Sequence, residues 1–242
     1  MAGTARVPTG IHGFDELIGG GLPERSVSLV SGPAGSAKSL LAMQFIYNGV
    51  KDYGEPGIFI TLEESRDNIL RAMSSYGIEI ERYEKDGKLV LLDMGEIRRR
   101  CNLAEDVAVV GFEALSDLLD NLLNLTRAKR LSLDSLTAVG LHYEDSPGIL
   151  RRELFKFASI LREKEVTSLL VTESIEGGAL TRYGIEQFIA DAFVVLGLEE
   201  VKGELRRTLT VRKMRFTKHD TTKHPILIGP AGINVSAESK VF

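Results

Sequence analysis

A chain of 242 residues with 43% hydrophobic and 26% charged residues has the composition of a soluble globular protein and the length to bury a sizeable core. A net charge of −4 argues against a protein dominated by non-specific nucleic-acid binding, though it leaves room for a local basic channel. The lone cysteine, Cys101, excludes an intrachain disulfide framework; no apolar run reaches membrane-span length and the N-terminus lacks a signal-peptide core, so a cytoplasmic location is expected.

Residues 1–25 are glycine-rich, with a short apolar-periodic piece ending at Leu17 and a helix-breaking run, Gly19-Gly20-Gly21-Leu22-Pro23. Ser26–Ser31 alternates and is β-rich, which predicts a strand. It leads into Gly32-Pro33-Ala34-Gly35-Ser36-Ala37-Lys38-Ser39, and Leu40 to Tyr47 then opens a helical pattern. Strand, small-residue loop and helix form the setting of a phosphate-binding P-loop, whose pattern is Gly, four free positions, then Gly-Lys-Ser/Thr. The loop from Gly32 to Leu40 would cradle ATP phosphates with its backbone N–H groups, which Pro33 alone lacks; Lys38 would reach the β- and γ-phosphates, and the Ser39 hydroxyl would ligate Mg²⁺. A Gly/Ser turn with a chance lysine is the alternative, and the flanking elements weigh against it. Ala37 occupies the position of the second glycine; if that position needs φ > 0, its Cβ costs about 1–2 kcal/mol, so weak hydrolysis is one expectation.

Further along, a strand is predicted at 57–62 and ends in Glu63-Glu64; a helix follows at 67–76, a strand at 89–92 and an amphipathic helix at 112–125. Arg130–Asp134 reads as a strand ending in a carboxylate, and Ser146-Pro147 as an N-cap with proline at the first helical position, opening a helix to about Lys164. An apolar strand spans 166–171, and 193–198, 205–215 and 225–228 suggest β-structure with hairpin character. Alternating strands and helices predict an α/β fold with a mostly parallel twisted sheet, helices on both faces and a C-terminal β-hairpin region. No linker or composition break interrupts 1–242, so one domain is expected: an entry segment (1–25), an α/β core (26–198) and a β-rich part (199–242).

In open α/β sheets, ligands sit at the carboxyl ends of the strands. That places Asp134 as a Mg²⁺-side carboxylate, with a plain strand-end turn residue as the alternative. Glu63, seconded by Glu64, becomes the candidate for orienting or deprotonating a water at the γ-phosphate, from a strand taken to lie beside the P-loop; a solvated acidic loop is the alternative. Arg98-Arg99-Arg100 and Lys129-Arg130 read as solvated faces before they read as nucleic-acid contacts. The four histidines have no metal-ligand spacing with Cys101, so no zinc is expected.

These motifs together give a resemblance. Val7-Pro8-Thr9-Gly10-Ile11, Gly13-Phe14-Asp15 and Gly19-Gly20-Gly21-Leu22-Pro23 are similar to the entry segment of KaiC-like ATPases of the RecA superfamily. Thr61-Leu62-Glu63-Glu64-Ser65 resembles their double-glutamate motif, and Leu133-Asp134-Ser135-Leu136-Thr137 their Walker B strand. Arg182-Tyr183-Gly184-Ile185-Glu186 with Asp191, and Lys213-Met214-Arg215 with Thr217 and His219, resemble their later blocks. The resemblance runs from about Val7 to Val235. It implies a RecA-like P-loop core, ATP with Mg²⁺, and often a homo-oligomeric, hexameric ring with nucleotide between subunits. Lys213 and Arg215 would then act as catalytic groups on the neighbour's γ-phosphate, in the manner of an arginine finger; a basic strand face shared with Arg206, Arg207 and Arg212 is the alternative. Ala37 and Phe216 both depart from a family glycine. The clock-type phosphorylation cycle of the family's second domain copy is not carried over to this single copy. Two other functions stay open: a recombinase-related module gripping single-stranded DNA, for which the acidic loop 173–182 is poorly suited, and a nucleotide-dependent scaffold with little turnover. The protein partner is unknown.

Overall fold

A computed structural model describes residues 5–100, 111–175 and 177–239, with the side chains of Arg98-Arg99-Arg100 outside the description. The readings placed on that arginine run and on Cys101, and residue 176 of the acidic loop, therefore lie outside the described residues. In chain order the elements are β1 (Arg6–Val7), α1 (Phe14–Leu17), β2 (Leu22–Pro23), β3 (Val27–Gly32), α2 (Lys38–Tyr53), β4 (Gly57–Thr61), α3 (Arg66–Ser74), α4 (Ile80–Lys85), β5 (Leu89–Asp93) and α5 (Met94–Arg100). There follow α6 (Phe112–Thr126), β6 (Arg130–Asp134), α7 (Leu136–Gly140), α8 (Pro147–Glu163), β7 (Thr167–Glu173), α9 (Glu186–Ile189), β8 (Ala192–Val201), β9 (Glu204–Met214), β10 (Lys223–Gly229) and β11 (Gly232–Val235).

The main sheet has nine strands in the order β11-β10-β9-β8-β3-β7-β6-β4-β5. From β8 to β5 all neighbours are parallel; β9, β10 and β11 are added antiparallel. Parallel strands must be covered on both faces, and their side chains alternate between them. Val30, Phe59, Leu169 and Val171 enter one apolar layer, packed under α2. Leu29, Ile58, Ile60, Leu131, Leu133 and Leu170 enter the other, packed under α6 and α8. Helix α2 is buried continuously from Leu40 to Val50, because the entry segment and β11 cover the side that faces away from the sheet.

The entry segment explains its own motif. The Asp15 carboxylate accepts from Thr9 N (2.8 Å), Thr9 Oγ1 (2.7 Å) and Gly10 N (3.0 Å), which closes the loop before α1. Gly13 has φ 76°, and a Cβ there would lie 1.8 Å from the Val235 carbonyl oxygen. The segment thus clasps the last strand, through Val235 N to His12 O (2.9 Å).

The expected strands and longer helices all form, with α2 extending well past Tyr47. Short α4, α5, α7 and α9 and the strand β11 carry too few residues to show a periodicity. Ser146 occupies the N-cap of α8 with Pro147 following, but its side chain makes no capping bond; its carbonyl accepts from Ile149 N (2.9 Å) and Leu150 N (3.0 Å). Two expectations need correction. Arg130, read with Lys129 as a solvated face, is fully buried: it packs against Gly49 of α2, its Nε pairs with Glu55 Oε2 (2.7 Å) and its Nη1 donates to Phe45 O (3.0 Å). Strand β4, which carries Glu63-Glu64, does not lie beside the P-loop strand β3; β7 and β6 stand between them. Strand order depends on long-range pairing, which the local pattern of residues 57–62 does not encode.

Candidate functional site

The P-loop leaves the carboxyl end of β3 and enters α2. Gly32 is required there: a Cβ would lie 2.6 Å from both the Leu196 carbonyl oxygen and Ser36 Oγ. The loop curls on Pro33, whose carbonyl oxygen accepts from Ser36 N (3.3 Å), Ser36 Oγ (2.8 Å) and Lys38 Nζ (2.9 Å). Ala37 is the N-cap of α2 at φ 77°, ψ 29°, in the left-handed region. Alanine has no side-chain acceptor, and the first helical bond runs from Leu41 N to Ala37 O (3.0 Å). The N–H groups of Lys38, Ser39 and Leu40 precede that bond and are, by helix geometry, the donors an anion would take.

Asp134 ends β6 and is brought under the loop by the sheet. Its side chain accepts a hydrogen bond from Ser39, and its carbonyl receives Leu62 N (2.8 Å). Burial pushes its carboxyl up to about 6, against the hydrogen bond from Ser39; Glu63 raises it further and Lys38 lowers it. Burial also lowers the Lys38 ammonium, opposed by Asp134, Glu173 and Glu63 in that order. A hydroxyl and a buried carboxylate in contact are hard oxygen donors suited to Mg²⁺, which keeps several waters and takes few protein ligands.

Glu63 and Glu64 diverge. Glu63 is exposed, and its Oε1 accepts from Ser135 Oγ (2.6 Å), so it leans over the end of β6 toward Asp134 and Lys38. Glu64 turns the other way: its backbone N donates to Thr61 Oγ1 (3.1 Å), and its Oε2 accepts from Asn68 Nδ2 (3.3 Å) on α3.

Glu173 is a site residue the sequence reading did not assign. It ends β7, the strand next to β3, directly opposite Gly32 in register, and acts on Lys38 more strongly than Glu63 does. Its signal in the sequence is the same as that of Asp134, a carboxylate closing an apolar strand, but it also opens the acidic loop 173–182 and is masked by it. Behind it the Arg182–Glu186 block is tied to the site. Buried Glu186 accepts from Thr172 Oγ1 (3.0 Å), Tyr183 N (3.1 Å) and Ile185 N (3.0 Å). Tyr183 Oη donates to Thr137 O (2.9 Å), its phenol pushed up to about 12 chiefly by burial, and Glu173 N donates to Thr137 Oγ1 (3.1 Å).

Lys213 and Arg215 stand elsewhere. Lys213 pairs with Phe193 at the start of β8, the amino edge of the parallel sheet. Its Nζ donates to Ala190 O (2.6 Å) and Gln187 O (3.4 Å). Arg215 Nη1 donates to Asp191 Oδ1 (3.1 Å), and Asp191 Oδ2 also accepts from Val27 N (3.0 Å), at the first residue of β3. The P-loop starts at the far end of that strand, roughly 15–20 Å away at the usual rise per residue. The two groups of residues therefore do not meet within one chain. Phe216, just beyond, has φ 59° and is 77% exposed.

A parallel α/β sheet with a phosphate loop after its central strand, an aspartate on a nearby strand end and three antiparallel strands at one edge defines a RecA-type P-loop protein. The chain belongs to the KaiC family of ATPases: the family model described as "ATPase: KaiC" matches residues 7–240. The circadian clock oscillator protein KaiC of Parathermosynechococcus lividus is 39% identical over 97% of this chain and 43% of its own length. That of Synechococcus elongatus is 38% identical over 96% of this chain and 44% of its length. The chain thus spans less than half the length of these curated relatives. The crystal structure of a KaiC-like protein from the hyperthermophilic archaeon Pyrococcus horikoshii superposes with a TM-score of 0.83 at 40% identity, covering 96% of this chain and 99% of that one. Among the described residues no helix is long and apolar enough to cross a membrane.

Proposed function

We propose that residues 1–242 act as one cytoplasmic Mg²⁺-dependent ATPase domain whose nucleotide sites are completed between the subunits of a homo-oligomer, a hexameric ring on the family pattern. The observation that carries the ATPase reading is the convergence of Lys38, Ser39, Asp134 and Glu63 at the carboxyl ends of β3, β6 and β4. In it, the P-loop amides and Lys38 bind and orient the β- and γ-phosphates. Ser39 and Asp134 would hold Mg²⁺, which when bound neutralises charge on the phosphate oxygens. Glu63, tethered by Ser135, orients the attacking water and takes its proton; Glu64 serves by holding the turn that presents Glu63. Lys213 and Arg215, at the opposite sheet edge from their own P-loop, stabilise the γ-phosphate of a neighbour.

The test mixes two inactive variants. Lys38→Ala has a dead P-loop with intact Lys213 and Arg215, and Arg215→Ala the reverse. In a mixed ring some interfaces pair an intact loop with an intact arginine. Steady-state hydrolysis well above either parent is expected after mixing, with oligomer size followed by light scattering; additive residual rates would rule out action in trans. A second reading, a nucleotide-dependent scaffold with little turnover, is favoured by the backbone conformation at Ala37. Binding of ATP with no hydrolysis in the assembled wild-type ring would select it.

A further inference from the structure

The hairpin of β8 and β9 outruns the P-loop strand. Strand β8 pairs with β3 only through Ala192–Val195, and then continues to Val201 beside the loop with β9 as its partner. Leu196 lies against Gly32, and Leu198 against Gly35. On β9, Arg206 faces Glu204 (3.5 Å) and Arg207 faces the other way, as alternation along a strand requires. Arg207 Nε donates to the Gly35 carbonyl oxygen at 2.9 Å. Among the described residues it is the one side chain from outside the loop that hydrogen-bonds the loop backbone between Pro33 and Ala37.

We propose that Arg207 is a positioning residue for the phosphate cradle, a strut that holds the Gly35–Ser36 peptide in place and thereby keeps the loop in the shape that Ala37 resists. The inference rests on the nucleotide reading above. The bonded peptide lies one residue before Ala37, which sits at φ 77° where alanine is disfavoured. With the carbonyl at the loop apex fixed, the strained turn cannot relax, and the amides of Lys38, Ser39 and Leu40 stay aimed at one point. Without the strut, the loop relaxes toward ordinary alanine geometry and must be rebuilt when phosphate binds, a loss of preorganisation. A glycine at position 37 has no such tendency, so the strut becomes dispensable.

The probe is Mg²⁺-ATP binding, by calorimetry, to wild type, Arg207→Ala, Arg207→Lys, Ala37→Gly and the Arg207→Ala/Ala37→Gly double variant, with thermal melting as the folding check. Arg207→Ala is expected to weaken ATP binding about three- to tenfold. Arg207→Lys should rescue little, because the bond to the Gly35 carbonyl comes from the Nε–H, held in the guanidinium plane partway along the side chain, and lysine has no donor at that position. In the Ala37→Gly background the same arginine change should cost less than about twofold, a coupling that simple loss of nearby positive charge would not produce. Equal losses in both backgrounds, or full rescue by lysine, would overturn the strut. If Lys38→Ala abolishes binding while Arg207→Ala leaves it unchanged, the strut fails and the nucleotide site stands. Should Lys38→Ala also bind normally, both fall. If Arg207→Ala does not fold, the lysine variant carries the comparison in both backgrounds.

Discussion

Replacing Ala37 by glycine probes the point where this chain departs from the P-loop pattern of Gly, four free positions, then Gly-Lys-Ser/Thr. At φ 77° and ψ 29°, Ala37 occupies the left-handed region, where a Cβ costs about 1–2 kcal/mol. Glycine removes that cost but adds about 0.4–1 kcal/mol of chain entropy to the unfolded state. The net gain is then roughly 0.5–1 kcal/mol, which for a chain of this size shifts the melting midpoint upward by about 1–4 °C. Because the loop is held in the left-handed turn before any phosphate arrives, the strain is present in both free and bound states and cancels in binding. The ATP dissociation constant of Ala37→Gly should therefore stay within about threefold of wild type. Differential scanning calorimetry of the nucleotide-free protein and ATP titration decide the matter together. A midpoint unchanged or lowered would refute the claim of strain. A midpoint raised together with ATP affinity enhanced tenfold or more would show that the free wild-type loop does not hold this turn.

Three further outcomes follow from the site. Glu63→Gln should lower steady-state hydrolysis at least about a hundredfold with ATP binding retained, whereas Glu64→Gln should cost under about tenfold; the reverse order would exchange their roles. Asp134→Asn should stabilise the Mg²⁺-free, nucleotide-free protein at pH 7 by roughly 2–3 kcal/mol, because burial raises the carboxyl from 3.8 to about 6 and the folded state holds its proton more tightly than the unfolded one. Stability contributed by this group is complete below pH 3.8 and is lost as pH rises through 6, so the gain from the amide should vanish near pH 4; urea melts across that range would refute it by showing a constant difference. Phe216→Gly should raise the melting midpoint of the isolated chain by about 1–4 °C, since a residue at φ 59° with a largely exposed ring loses strain and little packing; a fall in the midpoint would show that the ring is anchored.

Local chemistry made most of this site readable. Strand β3, the loop and α2 are consecutive, so the phosphate cradle is written in one stretch of sequence, and Asp134 and Glu63 each close an apolar strand. What the local pattern lacked was strand order. The local pattern reads Glu63 onto a strand beside the P-loop, yet the chain places β4 three positions away and returns later to insert β7 and β6. The carboxylate beside the loop is Glu173, from a strand more than 130 residues downstream of Gly32, paired through contacts no window of sequence contains. The contrast between Glu63 and Glu64 was equally hidden, since it depends on Ser135 and Asn68 meeting opposite neighbours across the turn.

The two departures from glycine bear on one question, how far the chain tolerates strain where nucleotide is handled. Ala37 lies in the loop proposed to bind phosphate, and Phe216 lies next to the arginine proposed to reach a neighbour's phosphate. Both backbones are left-handed, so in each case a residue with a Cβ holds a conformation that glycine adopts at little cost. Strain of this kind persists only where surrounding contacts over-determine the backbone. At Ala37 those contacts are the Pro33 carbonyl with its three donors and the bond from Arg207 to Gly35. At Phe216 they are Arg215 N bonded to Asp191 O (2.8 Å) on one side and Arg6 Nη2 bonded to the Phe216 carbonyl (3.1 Å) on the other. In both places an arginine holds a carbonyl at or near the strained residue. The backbone geometry is thus supported by neighbouring side chains, and their removal is predicted to cost more here than it would with glycine at both positions.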